Sequence, residues 1–249
     1  MSIKRKLNNR LIAFSNPRSP VTEAFRTLRT NIQFAGVDKQ VKTLLITGAN
    51  PGCGKSTTTT NLGVILAQAG SSVLLVDADL RKPTVHRYFG LANEPGLTNL
   101  LFDVTMDLNQ VVQRSRVDNL FVLASGPIPP NPAELLSTEK MKNMVGVLAS
   151  RFDYVLFDSP PVIAVTDAAV LSRLVDATVM VLDYGRVTRD EAAFALAQLQ
   201  KVHANVIGAV INGIPNNRGY YSYYHYYSED YPRKKGRKRT KTNGFTARA

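Results

Sequence analysis

An α/β fold of three layers, a doubly wound and mostly parallel sheet with helices on both faces, is what this 249-residue sequence predicts. Three observations point to it. Short apolar runs alternate with longer stretches of helical apolar spacing. The apolar runs are strand-length, and several end at an aspartate or a glycine-containing turn. A hydrophobic content of 44% over 249 residues suits one core with extensions rather than two separate cores.

Taken in order, strands are expected near Val41–Thr47, Ser72–Asp77, Asn119–Ala124, Tyr154–Asp158, Ala177–Asp183 and Val206–Ile211. Helices are expected over Thr57–Ala69, Glu139–Ala149, Asp167–Leu174 and Arg189–Val202. Alternation of the two makes βαβ units and hence parallel strands. Sheets of this kind bind ligands beyond the C-terminal ends of their strands, so the loops after residues 47, 77, 158 and 211 share the rim where chemistry is expected. The Pro-rich stretch Gly126–Pro132 reads as a rigid lead into a helix, capped by Asn131 or a neighbour.

No apolar run approaches the roughly 20 residues of a membrane-spanning helix. Met1–Arg10 is basic and polar without an apolar signal core, so a soluble, cytoplasmic chain is expected. Cys53 is the single cysteine, which excludes an intramolecular disulfide. Of the formal charge of +12, +7 falls in residues 218–249, where nine Lys or Arg face Glu229 and Asp230. The run Arg233, Lys234, Lys235, Arg237, Lys238 and Arg239 suits an acidic lipid surface, and a solvated basic terminus accounts for it equally well. Without an aromatic base-stacking module, nucleic acid is not an expected partner.

The first rim loop reads Thr47-Gly-Ala-Asn-Pro-Gly-Cys-Gly-Lys-Ser-Thr57, a phosphate loop with Ala49 in its first glycine position, a strand before it and a helix after. Pro51, Gly52, Cys53, Gly54, Lys55, Ser56 and Thr57 would then bind ATP. Backbone N–H groups and the helix N-terminus face the phosphates, Lys55 reaches the β- and γ-phosphates, and Ser56 ligates Mg²⁺. Two more rim loops open with aspartates, Val76-Asp77-Ala78-Asp79-Leu80-Arg81 and Phe157-Asp158-Ser159-Pro160-Pro161. Asp158 stands where a strand-end carboxylate holds the metal shell. Asp77 and Asp79, two apart, would share one side of an extended segment, one toward Mg²⁺ and the other toward an incoming hydroxyl.

Asn212, just after the last strand, is a candidate adenine contact, with a turn role as its equal alternative. Cys53, close to a helix N-terminus, suggests an oxidisable thiol of depressed pKa, against the simpler reading of a small residue that fits the loop. His86, His203 and His225 have no metal-ligand spacing. Near the C-terminus stand Tyr220, Tyr221, Tyr223, Tyr224, Tyr226, Tyr227 and Tyr231, seven of the ten tyrosines, separated by Ser, His, Glu and Asp rather than by core residues. They read as an exposed, flexible row of phenols whose extended reach beyond the last strand is roughly 30–70 Å. One polypeptide thus holds a phosphoryl-donor site and a row of hydroxyl acceptors.

These elements in this order resemble the bacterial tyrosine kinases of capsule and exopolysaccharide assembly. Those kinases pair a phosphate loop with a hydrophobic-Asp-x-Asp-x-Arg motif, a hydrophobic-Asp-x-x-Pro motif and a C-terminal tyrosine cluster. The resemblance runs from about Thr22 to Tyr231 and includes Glu23-x-x-Arg26-x-x-Arg29 and Gly126-Pro-Ile-Pro-Pro-Asn-Pro-Ala-Glu-Leu-Leu136. It implies a P-loop NTPase fold with a basic segment and oligomerisation helix over residues 1–35, a kinase domain over 36–214 and the tyrosine cluster with its basic tail over 215–249. The implied activity is autophosphorylation with ATP and Mg²⁺. Lys55, Ser56, Asp77 and Asp158 would organise nucleotide and metal, and Asp79 would be the base. Arg81 would either stabilise charge or fix Asp79.

Further implications of the resemblance are a ring-like homo-oligomer docked through Glu23, Arg26 and Arg29, and a membrane-anchored modulator on a separate polypeptide that holds the chain at the inner face of the cell membrane. A cognate tyrosine phosphatase would reverse the modification. By spacing alone the three charged residues are one face of a helix, with Phe25, Leu28 and Ile32 on another. The competing readings are a partitioning-type ATPase switch, whose signature lysine would occupy the Asn50 position, and a catalytically silent nucleotide-binding scaffold.

Overall fold

The computed structural model describes residues 11–35, 40–103 and 105–215. The tyrosine cluster from Tyr220 to Tyr231 and the basic run after it lie outside the described residues. Contacts divide the chain into two units, Met1–Ile214 and Pro215–Ala249, and of the second only Pro215 is described.

Seven strands form one sheet in the order β3-β4-β2-β5-β1-β6-β7. They are β1 (Thr43–Gly48), β2 (Val73–Asp77), β3 (Val112–Arg114), β4 (Leu120–Leu123), β5 (Tyr154–Asp158), β6 (Ala177–Asp183) and β7 (Val206–Asn212). Every neighbouring pair is parallel except β3 with β4. The six strands expected from apolar runs are all present. β3 was not foreseen, because Val-Gln-Arg carries no apolar run and becomes a strand only by lying antiparallel along the edge of β4.

The period of two along each central strand divides the core. Leu44 and Ile46 of β1, Leu75 of β2 and Leu156 of β5 face α3 (Lys55–Gln68) and pack with its Leu62, Ile65 and Leu66. Leu45, Leu74, Val76, Val155 and Phe157 face the other way. They meet α5 (Leu97–Phe102), α8 (Glu139–Arg151) and α9 (Asp167–Ser172) through Leu97, Leu100, Met141, Leu148 and Leu171. Each such buried aliphatic side chain contributes on the order of 2 kcal/mol. Short helices complete the rim and the second face: α4 (Val85–Phe89), α6 (Leu108–Val111) and α7 (Pro132–Leu136), with α10 (Arg189–Lys201) beside β6 and β7. Pro132 takes the first position of α7 after Asn131, as the Pro-rich lead predicts.

Helix α3 is buried nearly all round from Thr58 to Ala67, although its sequence begins Lys-Ser-Thr-Thr-Thr-Thr-Asn. Two features reconcile this. The hydroxyls of Thr59 and Thr60 donate to the carbonyls of Lys55 (3.0 Å) and Ser56 (2.7 Å), so burial leaves them satisfied. The outer side of α3 is covered by α1 (Ile12–Ser15) and α2 (Pro20–Ala35), whose Leu11 flank, Ala13 and Ile32 join the same core. Phe25 and Leu28 pack against it, as their spacing predicts. Residues 11–35 are therefore built into the core rather than appended to it. The Ala13 N–H donates to Asn61 Oδ1 at 2.9 Å inside this junction. Replacing Asn61 with Leu leaves that N–H buried without a partner, and urea unfolding should show a loss of about 1–3 kcal/mol.

Candidate active site

β1 stops at Gly48 and α3 starts at Lys55, so the phosphate loop spans the gap between the sheet and a buried helix. Gly54 caps α3 with φ of +96°, and a Cβ there would stand 1.9 Å from Asn212 Nδ2. Gly48 is required by crowding instead, since its Cβ would lie 2.3 Å from Cys53 Sγ. Ala49, in the first glycine slot, is buried beside Val162 and Met180. Asn212 Nδ2 donates to the Cys53 carbonyl at 3.0 Å, which fastens the end of β7 to the loop. Over the loop opens a cavity of about 640 Å³ whose lining includes Lys55, Ser56, Asp79, Arg81, Tyr88 and Asn212. Pro51, Gly52, Gly54 and Thr57 line it too, whereas Cys53 does not.

Beneath lie two carboxylates. Asp77 and Asp158 are paired Cα to Cα at the C-terminal ends of β2 and β5, and both are fully buried. Asp158 accepts from Ser56 Oγ at 2.5 Å and from Thr59 Oγ1 at 3.1 Å. Asp77 Oδ2 accepts from the backbone N–H groups of Thr84 (2.8 Å) and Val85 (2.9 Å), while its Oδ1 has no partner. Burial, opposed by Ser56 and Lys55, pushes the Asp158 carboxyl up to about 6. Burial first, and then the charge of Asp158, holds Asp77 well above the usual carboxylate range. Thr84 Oγ1 donates to Ser56 Oγ at 3.0 Å, so one polar chain runs from the loop after β2 to Asp158.

This donor set fits a hard divalent cation. A buried carboxylate oxygen without a partner, a second carboxylate that resists ionisation and the serine hydroxyl bonded to it offer oxygen ligands, with Lys55 the one cation acting on Asp158. Among the described residues there is no cluster of three or more His, Cys, Asp or Glu that could form an all-protein cage. Few oxygen donors of this kind suit an ion such as Mg²⁺ that keeps waters and takes further ligands from phosphate.

Several expectations change in detail. Asp77 and Asp79 do not share a surface: β2 ends at Asp77, the period-two rule lapses there, and only Asp79 lines the cavity. Asp79 Oδ1 accepts from the N–H groups of Arg81 (3.3 Å) and Lys82 (2.9 Å), which leaves Oδ2 for other duty. The Arg81 guanidinium pairs with Asp167, two bonds of 3.0 Å to a fully buried carboxylate, and so is fixed by that residue rather than by Asp79. The Cys53 thiol is buried, and burial pushes its pKa up over the opposing effect of Lys55, so the idea of an oxidisable, acidic thiol is overturned.

Glu23 and Arg26 are ion-paired to each other on α2, and Arg26 also donates to the Pro17 carbonyl. Arg29 follows on the same face, half-buried. Residues that sequence reasoning missed are Thr59 and Thr84, which hold the carboxylates, Asp167, and Tyr88, whose hydroxyl meets Thr57 Oγ1 at 2.9 Å. None carries a local signal, because each partner is 28 or more residues away or is backbone of a loop without a pattern. Asn50 Nδ2 donates to Glu191 Oε1 at 3.2 Å, across to the first turn of α10.

Sheet, phosphate loop and strand-end aspartates together define a protein of the P-loop nucleotide-binding class. Residues 41–207 match the family model described as an AAA domain. The chain is 47% identical over 208 residues to the tyrosine-protein kinase YwqD of Bacillus subtilis (strain 168), a match spanning 84% of this chain and 87% of that one. The solved kinase domain of the Escherichia coli tyrosine kinase ETK superposes with a TM-score of 0.80 at 35% identity, over 83% of this chain and 81% of the other. This chain belongs to the bacterial protein-tyrosine kinases. The septum site-determining protein MinD of Pyrococcus horikoshii, solved with Mg-ADP, is 20% identical with a TM-score of 0.59 over 68% of this chain and 69% of its own, and shares the fold alone. No helix among the described residues is long and apolar enough to cross a membrane.

Because burial pushes the Asp158 carboxyl up to about 6 from its ordinary 3.8, the native protein holds the extra proton between about pH 4 and 6 and loses stability as pH rises through that window. Asp158→Asn should therefore be more stable than wild type at pH 8, by about 2 kcal/mol after allowance for one lost hydrogen bond. That advantage should vanish near pH 4 in thermal or urea unfolding of metal-free protein. Cys53 should resist iodoacetamide in the native state and react only on unfolding, as read by intact mass; alkylation at the rate of a free thiol would contradict its burial.

Proposed function

We propose that this chain transfers the γ-phosphoryl group of ATP to tyrosines of the Tyr220–Tyr231 cluster on a neighbouring copy, within a ring-like homo-oligomer. A separate membrane-anchored modulator activates it, a cognate tyrosine phosphatase resets it, and the cycle regulates capsular or exopolysaccharide synthesis and export. The observation that carries the reading is the division of labour among three aspartates. Asp77 and Asp158 are sealed from solvent, and Asp79 alone lines the cavity that holds Lys55 and Ser56.

In this reading the backbone N–H groups from Gly52 to Thr57 hold the phosphates and Lys55 meets the transferring group. The phenol oxygen forms its bond to the γ-phosphorus as the bond to the β–γ bridging oxygen breaks, and the phenolic proton passes to Asp79. Ser56, Asp158 and Asp77 would hold Mg²⁺, directly or through water, and the ion would supply positive charge against the phosphates. Arg81, clamped by Asp167, keeps a guanidinium at the cavity wall. Asn212, tied to the loop through Nδ2, has its Oδ1 left to accept from the adenine amine. Glu23, Arg26 and Arg29 would dock against the next copy, and the basic run from Arg233 would lie against acidic lipid.

Intact-mass and peptide mass spectrometry after incubation with Mg-ATP and a modulator fragment test the reading. Wild type should carry phosphate on the 220–231 cluster. Lys55→Met and Asp79→Asn should each lose at least about 100-fold in rate, with Asp79→Asn keeping nucleotide affinity. ATP consumption without tyrosine phosphate would replace the kinase with an ATPase switch.

A further inference from the structure

Next to the cavity over the phosphate loop lies a second groove of about 710 Å³. It is lined by the 81–87 segment, by Asn93 and Glu94 and by Gly126–Ile128. Arg81, Lys82 and Thr84 line both spaces, so the groove continues the cavity past the residues that follow Asp79. Its chemistry is cationic on one part and apolar on another. Lys82 and Arg87 are exposed and neither enters an ion pair among the described residues, in contrast to Arg81, which Asp167 already engages. Glu94 is the single carboxylate of the lining. Ile128 is 64% exposed within a Pro-rich loop. His86 Nδ1 and Asn93 Oδ1, both on lining residues, are buried without a hydrogen-bond partner.

We infer that this groove docks the acceptor: Arg87 and Lys82 hold an anionic side chain a few residues from the reacting tyrosine, in segment 220–231 of a second copy of this chain. The segment supplies that chemistry. Glu229 and Asp230 stand between Tyr227 and Tyr231, and every completed transfer adds a phosphotyrosine beside the remaining phenols. An extended chain advances about 3.3–3.6 Å per residue, so an anion two to four residues from the reacting tyrosine stands roughly 7–14 Å along the chain. Arg87 can take a carboxylate or a phosphate bidentately, and Ile128 with Pro127 gives apolar surface for a neighbouring ring. A phosphate carries more charge than a carboxylate, so the first transfers strengthen docking for the later ones. The inference rests on the kinase reading for its meaning but not for its measurement.

The test uses fluorescein-labelled peptides of residues 218–232 in three forms: native, Glu229→Gln with Asp230→Asn, and native with phosphotyrosine at position 227. Each is titrated by anisotropy against full-length wild type, Arg87→Glu and Arg87→Lys, with binding of a non-hydrolysable ATP analogue checked in every variant. Wild type should bind the phosphopeptide best and the neutralised peptide least. Arg87→Glu should weaken phosphopeptide binding about tenfold or more and erase the ranking, Arg87→Lys should restore much of it, and analogue affinity should not change. Equal phosphopeptide affinity in wild type and Arg87→Glu, or no binding to wild type, overturns the inference. In turnover, with a Lys55→Met copy as acceptor, Arg87→Glu in the donor should raise KM with kcat retained. Transfer by wild type with no Arg87 dependence would keep the kinase and remove the groove. Ranked peptide binding with no transfer would keep the groove as an anionic-peptide site and remove the kinase reading.

Discussion

Two carboxylates placed side by side where water cannot reach them set the terms for the rest of this molecule. The register of β2 against β5 puts Asp77 opposite Asp158, and desolvation of both, with the charge of Asp158 on Asp77 and of Asp79 on Asp158, favours protonation. The fold answers with dipoles drawn from different elements. Ser56 and Thr59 come from the first turns of α3, and the Thr84 and Val85 N–H groups come from the loop that enters α4. Strand register, the start of the phosphate-loop helix and the course of residues 78–84 are thus bound to one pair of side chains. The dipoles are incomplete, since Asp77 Oδ1 accepts from nothing. A buried carboxylate oxygen left without a donor in this way favours a cation together with the nucleotide phosphates that share it.

Much of this was legible in the sequence, for reasons that differ by element. Strands buried on both faces read as continuous apolar runs, so Tyr154–Asp158 and Ala177–Asp183 could be placed to the residue. The phosphate loop was visible because its chemistry is local, with glycine, lysine and serine at fixed spacing. What escaped depends on distance in sequence. Arg81 and Asp167 are 86 residues apart, and Tyr88 meets Thr57 across the start of a buried helix. The separation of Asp77 from Asp79 escaped because it depends on where a strand stops. The acidity of Cys53 had two opposed causes, a helix N-terminus with Lys55 on one side and burial on the other, and only packing showed that burial prevails.

The threonine-rich start of α3 has a similar logic. A helix exposed on one side would show an amphipathic stripe, but α3 is covered by α1 and α2 on the side away from the sheet. Back-bonding by Thr59 and Thr60 makes polar residues acceptable there, and Asn61 uses its amide oxygen to receive the Ala13 N–H. The charged face of α2 and the helix that begins at Lys55 are therefore parts of one packed unit. Residues suited to contact a neighbouring copy and residues suited to hold phosphate share a core of Ile32, Leu62 and Ile65.

Position 50 distinguishes this site from an ATPase switch of the same fold. A lysine there would put a long, charged side chain on the phosphate loop. Asn50 is short and neutral, and its amide is taken up within the chain by Glu191. Glu191 is itself fixed, because its other oxygen receives the Thr188 N–H and hydroxyl in the capping box of α10, and these bonds with Asn50 hold its carboxyl below the usual range. The loop is thereby anchored to its own helix α10 rather than reaching outward. What stays accessible is the other wall, where Asp79 and Arg81 line the cavity and the groove with Lys82 and Arg87 continues from it. A switch that hydrolyses ATP needs to admit only water at the γ-phosphate. A wall open from a carboxylate to a cationic groove has room for a polypeptide that brings its own hydroxyl.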